Sequence, residues 1–107
     1  MTTSKLHPLA VTGPADHPSG CLAGYCETNY ATLLALLGEP HHRDIDGKVN
    51  VEWAFQCQDG TTFHVYDWKE PCVPTGRYHW HIGGNNPRAL DAFHRHTGLP
   101  TAEAYLK

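Results

Sequence analysis

Apolar and polar positions alternate most clearly over residues 49–69, where two runs of β-forming residues flank Asp59-Gly60. Asp-Gly between alternating residues predicts a β-hairpin, because a two-residue type I′ turn needs positive φ at both central positions. With Asp59 and Gly60 as the turn, Phe55 lies opposite His64. Side chains alternate between faces along a strand, so this register predicts one aromatic face and one mixed face. The aromatic face carries Val51, Trp53, Phe55, His64, Tyr66 and Trp68, and the mixed face carries Glu52, Ala54, Gln56, Phe63, Val65 and Asp67.

A second pattern has the period of a helix. Four apolar residues at helical spacing predict a short helix over residues 29–37, with Thr28 as its N-cap. Gly38 is expected to end it, and Pro40 prevents it from continuing. The apolar stripe consists of Tyr30, Leu33, Leu34 and Leu37.

The remaining elements lie towards the C-terminus. Residues 78–82 predict a third strand with His79 and His81 on one side, and residues 83–85 predict a turn. Asn86 is expected to cap a second helix whose first residue is Pro87 and which ends at Gly98. The order predicts an α+β fold with a three-stranded antiparallel meander (α-β-β-β-α) and two helices packed on the sheet.

Residues 1–20 hold three prolines and two glycines without periodicity, which predicts an irregular or disordered N-terminal arm. Residues 21–107 then form a single α+β domain. We find no apolar run near the length of a membrane span and no signal-peptide pattern at the start, so we expect a cytoplasmic protein that binds no membrane. In that compartment the four cysteines are expected to be reduced thiols.

A net charge of −3 argues against direct nucleic-acid binding, which requires a basic surface. Two helices most naturally share one face of a three-stranded sheet, and the other face would then expose aromatic side chains. Monomeric proteins rarely expose large apolar patches. We therefore expect a homo-oligomer, or an aromatic face that binds a ligand or a partner.

The nine histidines invite a metal or catalytic interpretation. His79 and His81 point the same way on a strand and are the alternative metal ligands, to which Cys21, Cys26, Cys57 and Cys72 could add thiolates. However, the cysteines form no CxxC pair, so no metal and no cofactor is expected. The same two histidines are the candidate residues of a phosphodiesterase, in which one would protonate a leaving group. Histidines that are hydrogen-bonded within the fold or exposed to solvent explain this histidine pattern better. We therefore expect no enzyme activity.

Binding of an anion is the third interpretation. Small residues from Gly83 onwards precede a helix N-terminus, where free backbone N–H groups and the helix dipole favour negative charge. Aromatic rings and cations close in sequence suit a nucleotide, since rings stack on bases and cations contact phosphates. The same residues are also explained as a turn, a helix cap and a core tryptophan. The candidate ligand-binding residues are Trp68, Lys69, Arg77, Trp80, His81, Gly83, Gly84, Asn85, Asn86 and Arg88.

The chain also resembles a group of small bacteriophage-encoded accessory proteins over about residues 28–98. The shared motifs are Tyr30-x2-Leu33-x3-Leu37-Gly38-Glu39-Pro40, Val51-Glu52-Trp53-x-Phe55, Asp59-Gly60-Thr61, Val65-Tyr66-Asp67-Trp68-Lys69 and Trp80-His81-Ile82-Gly83-Gly84. The resemblance implies a phage protein that counters host immunity in the bacterial cytosol, as small phage proteins often do. The proline-rich loop with Cys72 departs from the pattern of that group.

Three hypotheses follow. In the preferred one, a non-catalytic homo-oligomer acts as a sponge for a cyclic oligonucleotide or cyclic ADP-ribose immune signal. In the second, an inhibitor of the anti-CRISPR type binds a host defence protein through an aromatic sheet face anchored by Trp53, Tyr66 and Trp68. In the third, His79 and His81 degrade such a signal.

Overall fold

The computed structural model describes residues 7–15 and 20–103. They form a seven-stranded antiparallel sheet with two helices, so the prediction of a three-stranded meander is wrong. The elements are β1 (Val11–Pro14), β2 (Cys21–Thr28), α1 (Tyr30–Leu37), β3 (His42–Ile45), β4 (Val49–Cys57), β5 (Thr62–Tyr66), β6 (Tyr78–Gly84), α2 (Ala89–Thr97) and β7 (Ala102–Glu103).

The predicted strands β4, β5 and β6 form the centre of the sheet, whose order is β1-β4-β5-β6-β2-β7. β3 also pairs with β4. β3 pairs with the first half of β4, and β1 pairs with the second half of β4. These two short strands therefore lie along the same edge of β4. His42 Nε2 lies 3.3 Å from the carbonyl oxygen of Ala15 and links the two strand ends.

The four strands missed by the sequence analysis have weak local signals. β1 contains a proline and a glycine, and it lies inside the arm that was predicted to be irregular. Residues 1–6 and 16–19 of that arm lie outside the described residues. The sequence analysis predicted no strand over the residues of β2 or β3. Each is a strand because its backbone pairs with a neighbour, and this pairing depends little on which side chains the strand carries.

The hairpin register also differs from the prediction, by one residue. Phe55 lies opposite Phe63, and Trp53 lies opposite Val65. The loop has three residues rather than two: the Gly60 N–H donates to the Cys57 carbonyl, and Gly60 adopts a φ of 90°. A three-residue loop that ends on a glycine with positive φ is a common hairpin connection.

A slip of one residue moves every side chain of β5 to the other face. Phe63 and Val65 join Trp53 and Phe55 on the face that packs against the helices, and His64 and Tyr66 lie on the opposite face. The core therefore lies on one side of the sheet. It includes Cys26, Leu33, Leu37, Val51, Trp53, Phe55, Cys57, Phe63, Val65, Trp80, Ile82, Ala89, Ala92 and Phe93.

Both predicted helices are present. α1 begins one residue later than predicted, because Asn29 rather than Thr28 is the cap and its Oδ1 accepts the Thr32 N–H at 2.8 Å. α2 begins at Ala89, two residues after the predicted start, and ends at Gly98 with φ 77° as predicted. In the described part of the chain neither helix is long and apolar enough to cross a membrane.

Candidate functional site

The sheet face opposite the helices, called here the second face, carries a row of polar and aromatic side chains. In the described residues no helix is seen to pack on it; the contacts of α1 and α2 involve core residues such as Trp53 and Phe63. Backbone pairing aligns one residue from each of five strands across this face. In sheet order they are His42, Glu52, Tyr66, His81 and Tyr25.

Glu52 of this row forms a buried contact with His64 of β5. His64 Nδ1 is 2.9 Å from Glu52 Oε2, and the two side chains are only 11% and 9% exposed. His64 Nε2 is buried and has no hydrogen-bond partner among the described residues. A Cβ on Gly83 would lie 2.4 Å from this nitrogen, so only glycine leaves room for the ring.

The contact with His64 engages one oxygen of the Glu52 carboxylate. With hydrogen on Nδ1, the ring donates to Glu52 Oε2, and its Nε2 faces Gly83. The other carboxylate oxygen is not engaged by this contact.

A cavity of about 550 Å³ opens over this pair. Its volume is within the range of small-molecule sites. Trp68, which is 40% exposed, forms part of its wall, and the Tyr66 ring is stacked on His64 with centroids 5.0 Å apart. The lining residues are His41, His42, Arg43, Ile45, Val49, Glu52, His64, Tyr66 and Trp68.

Two lysines lie beside Trp68. The Lys69 N–H donates to the Lys48 carbonyl at 2.6 Å, which brings the two residues together. Their ammonium nitrogens lie 5.7 Å and 6.0 Å from the centre of the Trp68 ring system, within cation–π range. The cavity is thus lined by an acidic residue, Glu52, and an aromatic residue, Trp68, and two basic groups lie beside the Trp68 ring.

Tyr66 supplies a neutral hydroxyl to the same face. Burial, together with the charge of Glu52 and the nearby Tyr25, raises the pKa of Tyr66 to about 12. The phenol therefore keeps its proton at neutral pH and remains a hydrogen-bond donor.

The glycine–asparagine corner, predicted as an anion site, is held by hydrogen bonds within the protein. Asn85 Oδ1 accepts the Thr62 N–H and Asn86 Oδ1 accepts the Arg88 N–H. Gly83 lies under His64, and Gly84 is buried against β5 and Ala89. A second cavity, of about 410 Å³, adjoins this corner and includes Gly84, Asn85 and Asn86 among its lining residues.

The structure does not bring the predicted ligand-binding residues together. Trp80 is fully buried in the core and offers no ring face to a ligand. Arg77 pairs with Glu27 at 3.1 Å. Arg88 pairs with Asp59, also at 3.1 Å. Among the predicted residues, Trp68 lines the larger cavity and Lys69 lies beside the Trp68 ring. His81 extends the same face through its contact with Tyr66.

The alternative metal ligands His79 and His81 both lie on the second face, as predicted from their spacing. His79 contacts Glu27 at 3.7 Å, and His81 packs between Tyr25 and Tyr66. Within the described ranges no group of three histidine, cysteine or carboxylate side chains is arranged to hold a metal ion. The four cysteines are free thiols, and burial raises the pKa of Cys26 to about 11.

We expect stability to fall at mildly acidic pH. Burial lowers the pKa of His81 and His96, and burial followed by the charge of His42 lowers the pKa of His41. The unfolded chain then binds more protons than the folded protein once the pH falls below the usual value of 6.5. The midpoint of urea unfolding, followed by circular dichroism, should be lower at about pH 5.5 than at about pH 7.5.

The His81→Gln variant removes one of the three groups and should lose less stability over the same interval. An unchanged or higher midpoint at the acidic pH would contradict the expected sign.

Sequence reasoning missed the pair at the centre of the site. Glu52 and His64 were placed on opposite faces because the hairpin was predicted one residue out of register. The available signal was the binary pattern: only the observed register places Phe63 and Val65 with the other apolar residues.

Searches against protein-family models, curated proteins and solved structures find no match to this chain. The resemblance to phage accessory proteins therefore stays a prediction from its motifs.

Proposed function

We propose that the protein is a non-catalytic phage protein that binds a nucleotide-derived immune signal in the bacterial cytosol, and that the signal occupies the larger cavity on the second face. The observation that carries the proposal is the combination of Trp68 on the cavity wall with Lys48 and Lys69 beside it. A base stacked on the indole would place its phosphates within reach of both ammonium groups.

The ligand would then bind in the larger cavity, and not at the glycine–asparagine corner that the sequence analysis predicted. The N–H groups of Thr62 and Arg88 at the corner are already bonded to asparagine side chains, and Trp80 cannot stack on a base. Sequestration without chemistry is sufficient for an immune-evasion sponge. The predicted homo-oligomer would multiply the number of sites in each particle and is tested by light scattering.

Replacing Trp68 with alanine is expected to weaken binding about 5- to 150-fold, which corresponds to the loss of one base-stacking contact. Isothermal calorimetry with cyclic dinucleotides, cyclic trinucleotides and cyclic ADP-ribose isomers measures this change. Leu36, also 40% exposed but located on α1, gives the matched control Leu36→Ala, which should bind as the unmodified protein does. The proposal fails if none of these compounds produces heat.

The second candidate is an inhibitor of a host defence protein. Trp68 is an exposed aromatic side chain of the kind that anchors interfaces, and Tyr66 is partly exposed beside it. Trp53, the third predicted anchor, is fully buried, which leaves a smaller aromatic patch than the sequence suggested. Capture of one host defence protein, lost in the Trp68→Ala variant, together with no heat from any nucleotide, would favour this candidate.

A further inference from the structure

We propose that the cavity selects guanine as the base of its ligand, through the carboxylate of Glu52. This inference rests on the proposed function, since it names the chemical class of the signal that the same site would bind.

The Glu52 carboxylate is the first part of the proposed site. Glu52 lines the cavity and its side chain is 9% exposed, so little water can solvate it. His64 Nδ1–H holds one oxygen at 2.9 Å. An ionised carboxylate has about four lone-pair sites, which leaves acceptor capacity for a ligand.

The Glu52 carboxylate has few hydrogen-bond partners within the part of the protein that the structure describes. In the described residues Nε2 of His64 has no hydrogen-bond partner, and the ring contacts the Glu52 carboxylate only through Nδ1. A buried charge without sufficient partners is costly, so a ligand that brings N–H donors to this point is favoured. A ligand that brings acceptors is disfavoured.

Guanine and adenine present different hydrogen-bonding groups to a carboxylate. The Watson–Crick edge of guanine presents two adjacent donors, N1–H and the 2-amino group, which match the two oxygens of a carboxylate. Adenine presents one donor beside an acceptor nitrogen, and that acceptor would face the charge of Glu52. The Trp68 ring can stack on either purine, so the discrimination between guanine and adenine comes from Glu52.

The remaining part of the ligand would meet the two lysines. Lys48 and Lys69 lie beside the ring of Trp68, which lines the cavity together with Glu52. A ligand with donors at one end, a flat ring between and negative charge at the other end matches this arrangement. A guanine nucleotide has these three parts.

The test is calorimetry with guanosine and adenosine monophosphates and with the cyclic dinucleotides of guanine and of adenine. The guanine compounds are expected to bind at least about tenfold more tightly, because an analogue without the paired donors leaves the site's polar group unsatisfied. In the Glu52→Gln variant the carboxamide can still accept from His64 but carries no charge, and the guanine-to-adenine ratio should fall towards one.

Glu27→Gln is the matched control, because Glu27 lies on the same face but outside the cavity, paired with Arg77. This variant should keep the ratio of the unmodified protein. Equal or tighter binding of the adenine compounds by the unmodified protein overturns the guanine inference and leaves the proposed function standing. Absence of binding by all nucleotides and cyclic ADP-ribose isomers overturns both. The comparison within the unmodified protein decides the inference even if Glu52→Gln fails to fold.

Discussion

Replacing Trp80 with alanine is expected to lower the free energy of unfolding by about 3–5 kcal/mol. The indole is fully buried, its ring packs against those of Tyr30 and Trp53, and alanine would leave a cavity in its place. Chemical denaturation followed by far-ultraviolet circular dichroism measures the change. A domain of this size is stabilised by about 5–15 kcal/mol, so much of the variant could be unfolded at physiological temperature.

Two further variants separate the volume of the ring from its polar group. Trp80 Nε1 is buried and has no hydrogen-bond partner in the described residues, so Trp80→Phe keeps most of the apolar volume and removes an unsatisfied donor. It should cost clearly less than Trp80→Ala. Trp68→Ala, at an exposed position, should cost less than about 1 kcal/mol. Similar losses in Trp68→Ala and Trp80→Ala would contradict the assignment of one residue to the cavity and the other to the core.

Asp67→Ala is expected to cost more than about 3 kcal/mol. The Asp67 side chain is fully buried, and its carboxylate accepts three hydrogen bonds. Two come from the backbone N–H groups of Asn50 and Val51, and the third comes from the Asn50 carboxamide. Alanine would leave the two backbone N–H groups at the start of β4 without this acceptor, whereas the Asn50 carboxamide would keep its hydrogen bond to the Glu70 carbonyl.

Asp67→Asn tests the geometry of the same network. Its remaining oxygen can keep both backbone N–H groups, but its NH₂ group would face the Asn50 NH₂ group, so the loss should be intermediate. Asp91→Ala, an exposed aspartate in the first turn of α2, should cost less than about 1 kcal/mol. Equal unfolding midpoints for Asp67→Ala and Asp91→Ala would show that the network adds little to stability.

Much of the fold was accessible from local patterns. The stripe at helical spacing and the glycines at both C-termini predicted α1 and α2 within two residues. The alternation over residues 78–82 predicted β6 and placed His79 and His81 on one face. These signals are readable because helix period, capping and strand alternation each depend on residues close together in the chain.

The candidate site was less accessible. Trp68 was predicted as a ligand contact and lines the cavity, and Lys69, also predicted, lies beside it. Glu52 and His64, however, were assigned to different faces. Asp59-Gly60 allows either a two-residue or a three-residue loop, and the choice between them decides which side chains meet. Packing of Phe63 against Phe93 of α2 favours the three-residue loop, and this contact spans a long separation in sequence.

By itself, the sequence determined the two helices, the three central strands and the polar character of one side of β6, since each depends on a short run of residues. Only the tertiary structure decided the seven-stranded sheet, the hairpin register and the cavity over Glu52. The physical reason is that edge strands form through backbone hydrogen bonds to distant segments, and such bonds leave little trace in the side chains of either partner.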